Sequence, residues 1–242
     1  MSKRSLRVLL MVVVFAIAMG FLETAVVVYL RKLYYPGGFS FPLQMIDGEV
    51  ALTEFLREVA TLFMLIGIGV LAGRNRLERF AYFIFSFAIW DIFYYVFLYA
   101  LLQWPASLFT WDVLFLIPVT WVGPVLAPVI NSMMMILLAI LIVYFTDQKG
   151  RFKLGWPAWA LLILGSLVVL FSYTEEYVRY MLQRFDLSEI IGVSNQTQVL
   201  EYASAFIPVR FNWWIFILGA LMHLAGFILV YLNNRRKRIV AP

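Results

Sequence analysis

Residues 8–29 read VLLMVVVFAIAMGFLETAVVVY, twenty-two positions with one charged side chain, Glu23. A helix rises about 1.5 Å per residue and the hydrocarbon core of a bilayer is about 30 Å thick. A run of this length and polarity is therefore built to cross a membrane. Five further segments meet the same test, giving six expected spans: Val8–Tyr29, Ala51–Leu71, Phe80–Leu102, Val122–Phe145, Pro157–Val178 and Phe211–Leu232. The composition of the 242 residues agrees, with 64% hydrophobic and only 14% charged. An ordinary soluble domain is about 25% charged, and this chain lacks the polar surface to cover a core in water. The expected fold is all-α: one polytopic transmembrane domain, a six-helix bundle with both termini cytoplasmic and a short amphipathic outer helix. The start resembles a secretory signal, with Lys3, Arg4 and Arg7 before the apolar run and Ala16-Ile17-Ala18 within it. Because the run continues to Leu30, an uncleaved signal anchor is the expectation.

Orientation follows from the placement of Lys and Arg. Thirteen of the nineteen fall in four segments: Lys3/Arg4/Arg7, Arg74/Arg76/Arg79, Lys149/Arg151/Lys153 and Arg235/Arg236/Lys237/Arg238. With six spans, all four lie on one side, the cytoplasm, where Glu78 and Asp147 are the only acids. That face carries a net +11 and the outer half, intramembrane groups included, −6. A bacterial cytoplasmic (inner) membrane suits this pattern. The +5 overall charge is local to one face, so nucleic acid is not an expected partner; the bilayer is, and partner membrane proteins are allowed. The tryptophans agree: seven of the eight fall at predicted span ends and only Trp90 falls deep in a span.

The cytoplasmic connections are short, which predicts antiparallel neighbours, and the elaborate connections lie outside. Tyr34-Tyr35-Pro36-Gly37-Gly38 signals a turn. Residues 103–121 are too apolar for a free loop, and the stretch Trp111–Pro118 is expected as an interfacial or re-entrant piece. Val178, Met181, Leu182 and Phe185 recur at helical spacing beside Arg179 and Arg184, predicting an amphipathic helix on the outer leaflet. A sequon, Asn195-Gln196-Thr197, is read as chance.

Ionisable groups inside a span cost roughly 2.5–3.5 kcal/mol on insertion scales, so each needs a reason. They are Glu23 in span one, Glu54, Arg57 and Glu58 in span two, Asp91 in span three and His223 in span six; Asn131 in span four adds an amide. Their depths place most of them in the outer half, where five helices can converge on one cavity. Glu54, Glu58 and Thr61 share one helical stripe, and Asp91, Tyr95 and Tyr99 another. Glu23, Glu54, Arg57, Glu58, Asp91, Tyr95, Asn131 and His223 are thus the candidate ligand or ion-pathway residues. Each also has a structural reading. Arg57 neutralises Glu54 or Glu58 and is the first partner for Glu23. Asp91 is hydrogen-bonded, His223 packs, and Asp112 sits at the interface.

Much chemistry is excluded by residue type. Without cysteine there is no thiolate metal site, iron–sulfur cluster or c-type haem, and one histidine cannot ligate haem twice. No span contains the lysine a retinal Schiff base requires. HExxH needs two histidines, and Gly165-Ser166-Leu167 is not a serine-protease elbow. No metal site and no cofactor is expected, and catalysis is the less favoured class. Binding or transport of a small solute, ion or proton through the polar cluster ranks first. A non-catalytic membrane subunit or assembly factor follows, then a membrane-embedded enzyme acting on a lipid or quinone-like substrate.

Overall fold

The computed structural model describes residues 1–149, 152, 154–191 and 197–235. Arg151, Lys153, Arg236, Lys237, Arg238 and the Asn195-Gln196 part of the sequon lie outside the described residues. Among the described residues six helices are long and apolar enough to cross a membrane: α1 (Lys3–Tyr34), α2 (Gly48–Ala72), α3 (Arg76–Leu102), α4 (Leu126–Lys149), α5 (Trp156–Met181) and α8 (Trp213–Arg235). Between α3 and α4 stand two strands, β1 (Trp111–Phe115) and β2 (Trp121–Pro124). Between α5 and α8 stand two short helices, α6 (Leu187–Ile190) and α7 (Thr197–Ser204). The chain is an all-α polytopic bundle, and its outward faces are those of a membrane protein. Met11, Phe63 and Leu71 are 64%, 70% and 84% exposed, a display of apolar surface that water does not tolerate.

Local signals set the helix ends. Ser2 caps α1 by accepting from Ser5 N–H, Asp47 caps α2 by accepting from Glu49 N–H, and Asn75 caps α3 by accepting from Leu77 and Glu78 N–H. Helix α3 stops at Gln103, whose φ of 53° is left-handed. Pro157 opens α5, where its missing N–H costs no helical bond. Ser2 N–H and Ser5 Oγ both donate to Asp147, and Arg74 lies 3.5 Å from the same carboxylate. The N-terminus, the α2–α3 turn and the end of α4 therefore meet at one end of the bundle, here the basic end.

Helix α3 is central and packs on α1, α2 and α4, while α5 pairs with α8. The short α4–α5 connection does not make those two helices close neighbours, contrary to the expectation from loop length; α5 takes α8 instead. Glycines explain why. A Cβ on Gly219 would lie 2.7 Å from Val169 Cγ2 and 2.9 Å from the Gly165 carbonyl, so the α5–α8 backbones approach closely only because both positions are bare. Gly219→Val should cost about 1–3 kcal/mol by overpacking. Thermal unfolding in detergent, followed by near-UV circular dichroism, should show the lowered midpoint.

The other end differs from the sequence expectation in two places. Residues 111–124 form an antiparallel hairpin, pairing Trp111 with Pro124, Asp112 with Gly123, Val113 with Val122 and Phe115 with Trp121, with a bulge between Val113 and Phe115. It is a folded lid, and Val122–Pro124 belongs to it and not to span four. Nor is there a separate amphipathic helix over 178–185. Helix α5 continues through Met181, which is fully buried with Tyr177, Val122 of β2 and Val199 of α7. The short amphipathic outer helix is α7, with Val199 inward and Thr197, Gln198 and Glu201 exposed. It lies against the protein.

Candidate functional site

Three helices and the hairpin build one cavity of about 210 Å³ at the hairpin end. Glu23 and Arg31 come from α1, Glu54, Arg57 and Glu58 from α2, Asp91 and Tyr95 from α3, and Asp112 from β1. The remaining wall is aliphatic and aromatic, and Tyr35, Phe39, Leu43 and Ile46 of the α1–α2 connection roof it. Tyr35 is fixed there because its hydroxyl accepts from Gln44 N–H at 2.9 Å.

Two arginines organise the carboxylates. Arg57 Nε donates to Glu54 at 2.9 Å and its Nη1 donates to Glu23 across the α1–α2 contact. The partner expected for Glu23 is the one it has. Arg31 Nη2 donates to Asp112 Oδ1 at 3.3 Å, while Tyr95 O–H donates to Asp112 Oδ2 at 3.2 Å. The Arg31 guanidinium also lies 3.7 Å from the Trp104 ring centre and 4.4 Å from that of Phe39. Its Nη1 is buried without a hydrogen-bond acceptor among the described residues. Asp112 is 2% exposed and has a role that its expected place at the interface did not call for: the hairpin turns it inward onto a buried arginine.

Two carboxylates remain outside these pairs. Glu58 Oε2 accepts from Leu116 N–H of the hairpin at 2.8 Å, and Asp91 Oδ2 accepts from Ser132 Oγ of α4 at 2.7 Å. Among the described residues neither forms a salt bridge, whereas Glu23, Glu54 and Asp112 all do. With every group ionised, five carboxylates face two arginines. Below them the bundle is closed on the basic side by Leu9, Val12, Ile84, Phe85, Ile142 and Val143. Among the described residues no three His, Asp or Glu side chains stand close enough to share a metal ion.

The structure brings Glu23, Glu54, Arg57, Glu58, Asp91 and Tyr95 to this cavity and leaves out two of the residues that depth alone grouped with them. His223 lies in the α5–α8 seam, with Nε2 3.1 Å from Ser166 Oγ and 3.2 Å from the Leu162 carbonyl. Asn131 lines a separate groove with it. Tyr99, placed on the Asp91 stripe by spacing, is 55% exposed on the outer surface. Conversely, Arg31, which lies just past the first expected span, and Asp112, expected at the interface, both belong to the site. Arg31 carried a signal, since a basic residue ending a span on the acidic side breaks the charge rule. No family model, curated protein or solved structure matches the chain.

Proposed function

We propose that the protein binds a small cationic solute, or a proton, in the hairpin-end cavity, as the first step of its passage across the membrane. The observation that supports this reading is the excess of carboxylates over arginines in one cavity, with Glu58 and Asp91 in no salt bridge among the described residues. A carboxylate taken from water into a low-dielectric site favours whatever positive charge can reach it. The +11 and −6 split of charge argues for a bacterial cytoplasmic membrane, with both termini in the cytoplasm and the cavity open to the outside. The apolar layer below the site then acts as the closed inner gate of an outward-open state.

The test is charge movement in proteoliposomes on a solid-supported membrane. Pulses of methylammonium, ethanolamine, choline or acid are applied to the wild-type protein. A saturable transient current is expected for at least one of them. Glu58→Gln keeps an oxygen for Leu116 N–H and Asp91→Asn keeps one for Ser132, so both variants should fold. Each should cut the current by about tenfold or more, the loss expected when a charge-assisted contact is removed. Arg179→Gln, at an exposed ion pair with Glu175, should leave it unchanged. Absence of current for every cation and for acid, or full currents from both carboxamide variants, would sink the reading.

A further inference from the structure

Three buried hydrogen-bond donors, Trp90 Nε1, Trp121 Nε1 and the Tyr173 hydroxyl, have no acceptor among the described residues. Unpaired buried donors are uncommon in native proteins, and three in one place ask for a missing partner. They line a chamber of about 40 Å³ beside Asp91, Asn131 and Ser132. Through Phe87, Trp121, Asn131 and Tyr173 the chamber joins an apolar groove of about 440 Å³, with α5 on one side and α3 and α4 on the other. The Phe80–Trp159 ring pair, 5.4 Å apart, closes the basic end. The Trp121–Tyr173 stack, 5.9 Å apart and 12° from parallel, stands at the hairpin end, where the groove meets the chamber. Fourteen residues of α5 separate Trp159 from Tyr173, so the groove runs about 21 Å along the helix. Ile163 and Leu167 on its flank are 50% and 55% exposed, which opens it sideways to the hydrocarbon region.

We infer that this groove takes a lipid-soluble molecule with an apolar chain and an uncharged carbonyl head, the carbonyl oxygen accepting from the three donors. The chemistry of the lining selects that class. Neither groove nor chamber is lined by Lys or Arg, so a phosphate or carboxylate head would place its charge near Asp91 without compensation. An ammonium head offers the three donors nothing to bond. The chamber has room for an oxygen and its carbon, not for a sugar. The groove is distinct from the cation cavity, although Trp90, Asp91, Leu114 and Phe115 line both the cavity and the chamber.

The probe is 2-tridecanone, titrated into the ¹⁵N-tryptophan-labelled protein in detergent and compared with tridecane and tridecylamine. The indole N–H signals report directly on the donors, with Trp90→Phe and Trp121→Phe used for assignment. The ketone should move the Trp90 and Trp121 signals saturably. Trp156 and Trp214, each 77% exposed, should stay in place. Tyr173→Phe, which deletes only the hydroxyl, should weaken the ketone by about tenfold, the usual consequence of losing one buried hydrogen bond. The wild-type titration decides the matter even if that variant folds poorly. Equal shifts with tridecane would mean an apolar slot without head recognition. Parallel movement of Trp156 and Trp214 would mean partition into the micelle. No saturable shift would mean that water already satisfies the donors. Any of these three overturns the inference, and none depends on whether cations move through the other cavity.

Discussion

Arg57→Met is expected to destabilise the folded protein by about 3–5 kcal/mol, the range found when one partner of a buried ion pair is removed. Glu23 and Glu54 both rely on this guanidinium, with side chains only 11% and 13% exposed. Without it two carboxylates face each other across the α1–α2 contact in a low-dielectric wall. The cost arises from what is left behind, so it should be recoverable. Glu23→Gln and Glu54→Gln added to Arg57→Met remove both charges, and the triple variant should regain most of the lost stability. Thermal unfolding in one detergent, with all variants measured side by side, checks the cycle. A triple variant no more stable than Arg57→Met would show that the arginine acts through packing of its stem, not through charge.

This arrangement could be partly anticipated, and the reason is physical. A charged group in a span must find a partner, and α1 has only Glu23 in its apolar run, so its partner had to come from another helix. Arg57 was the basic residue at a suitable depth. The helix spans were legible for the same reason, because length and apolarity are what a bilayer demands. What hydropathy cannot resolve is the conformation of an apolar segment that is not a span. The sequence Trp111-Asp112-Val113-Leu114-Phe115 is apolar on both faces of the strand except at Asp112, since one face meets α5 and the other the cavity. It therefore lacks the alternation by which a half-buried strand is recognised. The same continuity carried the expected fourth span back into β2.

Which helices face each other was the other thing depth could not supply. Rise per residue put His223 and Asn131 level with the carboxylates, but level groups meet only if their helices are neighbours. Gly165 and Gly219 commit α8 to α5, and His223 goes with that seam, away from α1 and α2. The pairing is written in two glycines, of which only Gly219 stands near a polar candidate, His223, and a periodicity argument built on polar residues does not read it. The donors of the lateral chamber were missed for a related reason. Tryptophan and tyrosine in a membrane span are first of all packing, and an unsatisfied N–H is a property of surroundings that no local pattern encodes.

The hairpin supplies the second large effect. Asp112→Leu should also cost about 3–5 kcal/mol, because it strands the Arg31 charge inside the protein. Arg31 has little freedom to escape: its side chain is 8% exposed and held against Trp104 and Phe39, and its Nη1 already lacks an acceptor among the described residues. The same substitution deletes the acceptor for Tyr95 O–H, so the hairpin loses its ties to α1 and α3 together. Asp112→Asn separates the two contributions. Its amide oxygen can still accept one hydrogen bond while the ionic attraction is gone, and the cost should fall to about 1–3 kcal/mol. Arg31→Met combined with Asp112→Leu should recover much of the loss by replacing the ion pair with apolar contacts. Because Leu116 N–H of the same hairpin donates to Glu58, loosening the lid should also expose that carboxyl. Labelling by dicyclohexylcarbodiimide, located by mass spectrometry, should rise at Glu58 in Asp112→Leu and return toward the wild-type level in the Arg31→Met combination. Destabilisation without a change in Glu58 labelling would mean that the hairpin stays seated through Val113, Phe115 and Trp121, and that Asp112 serves only to keep Arg31 company.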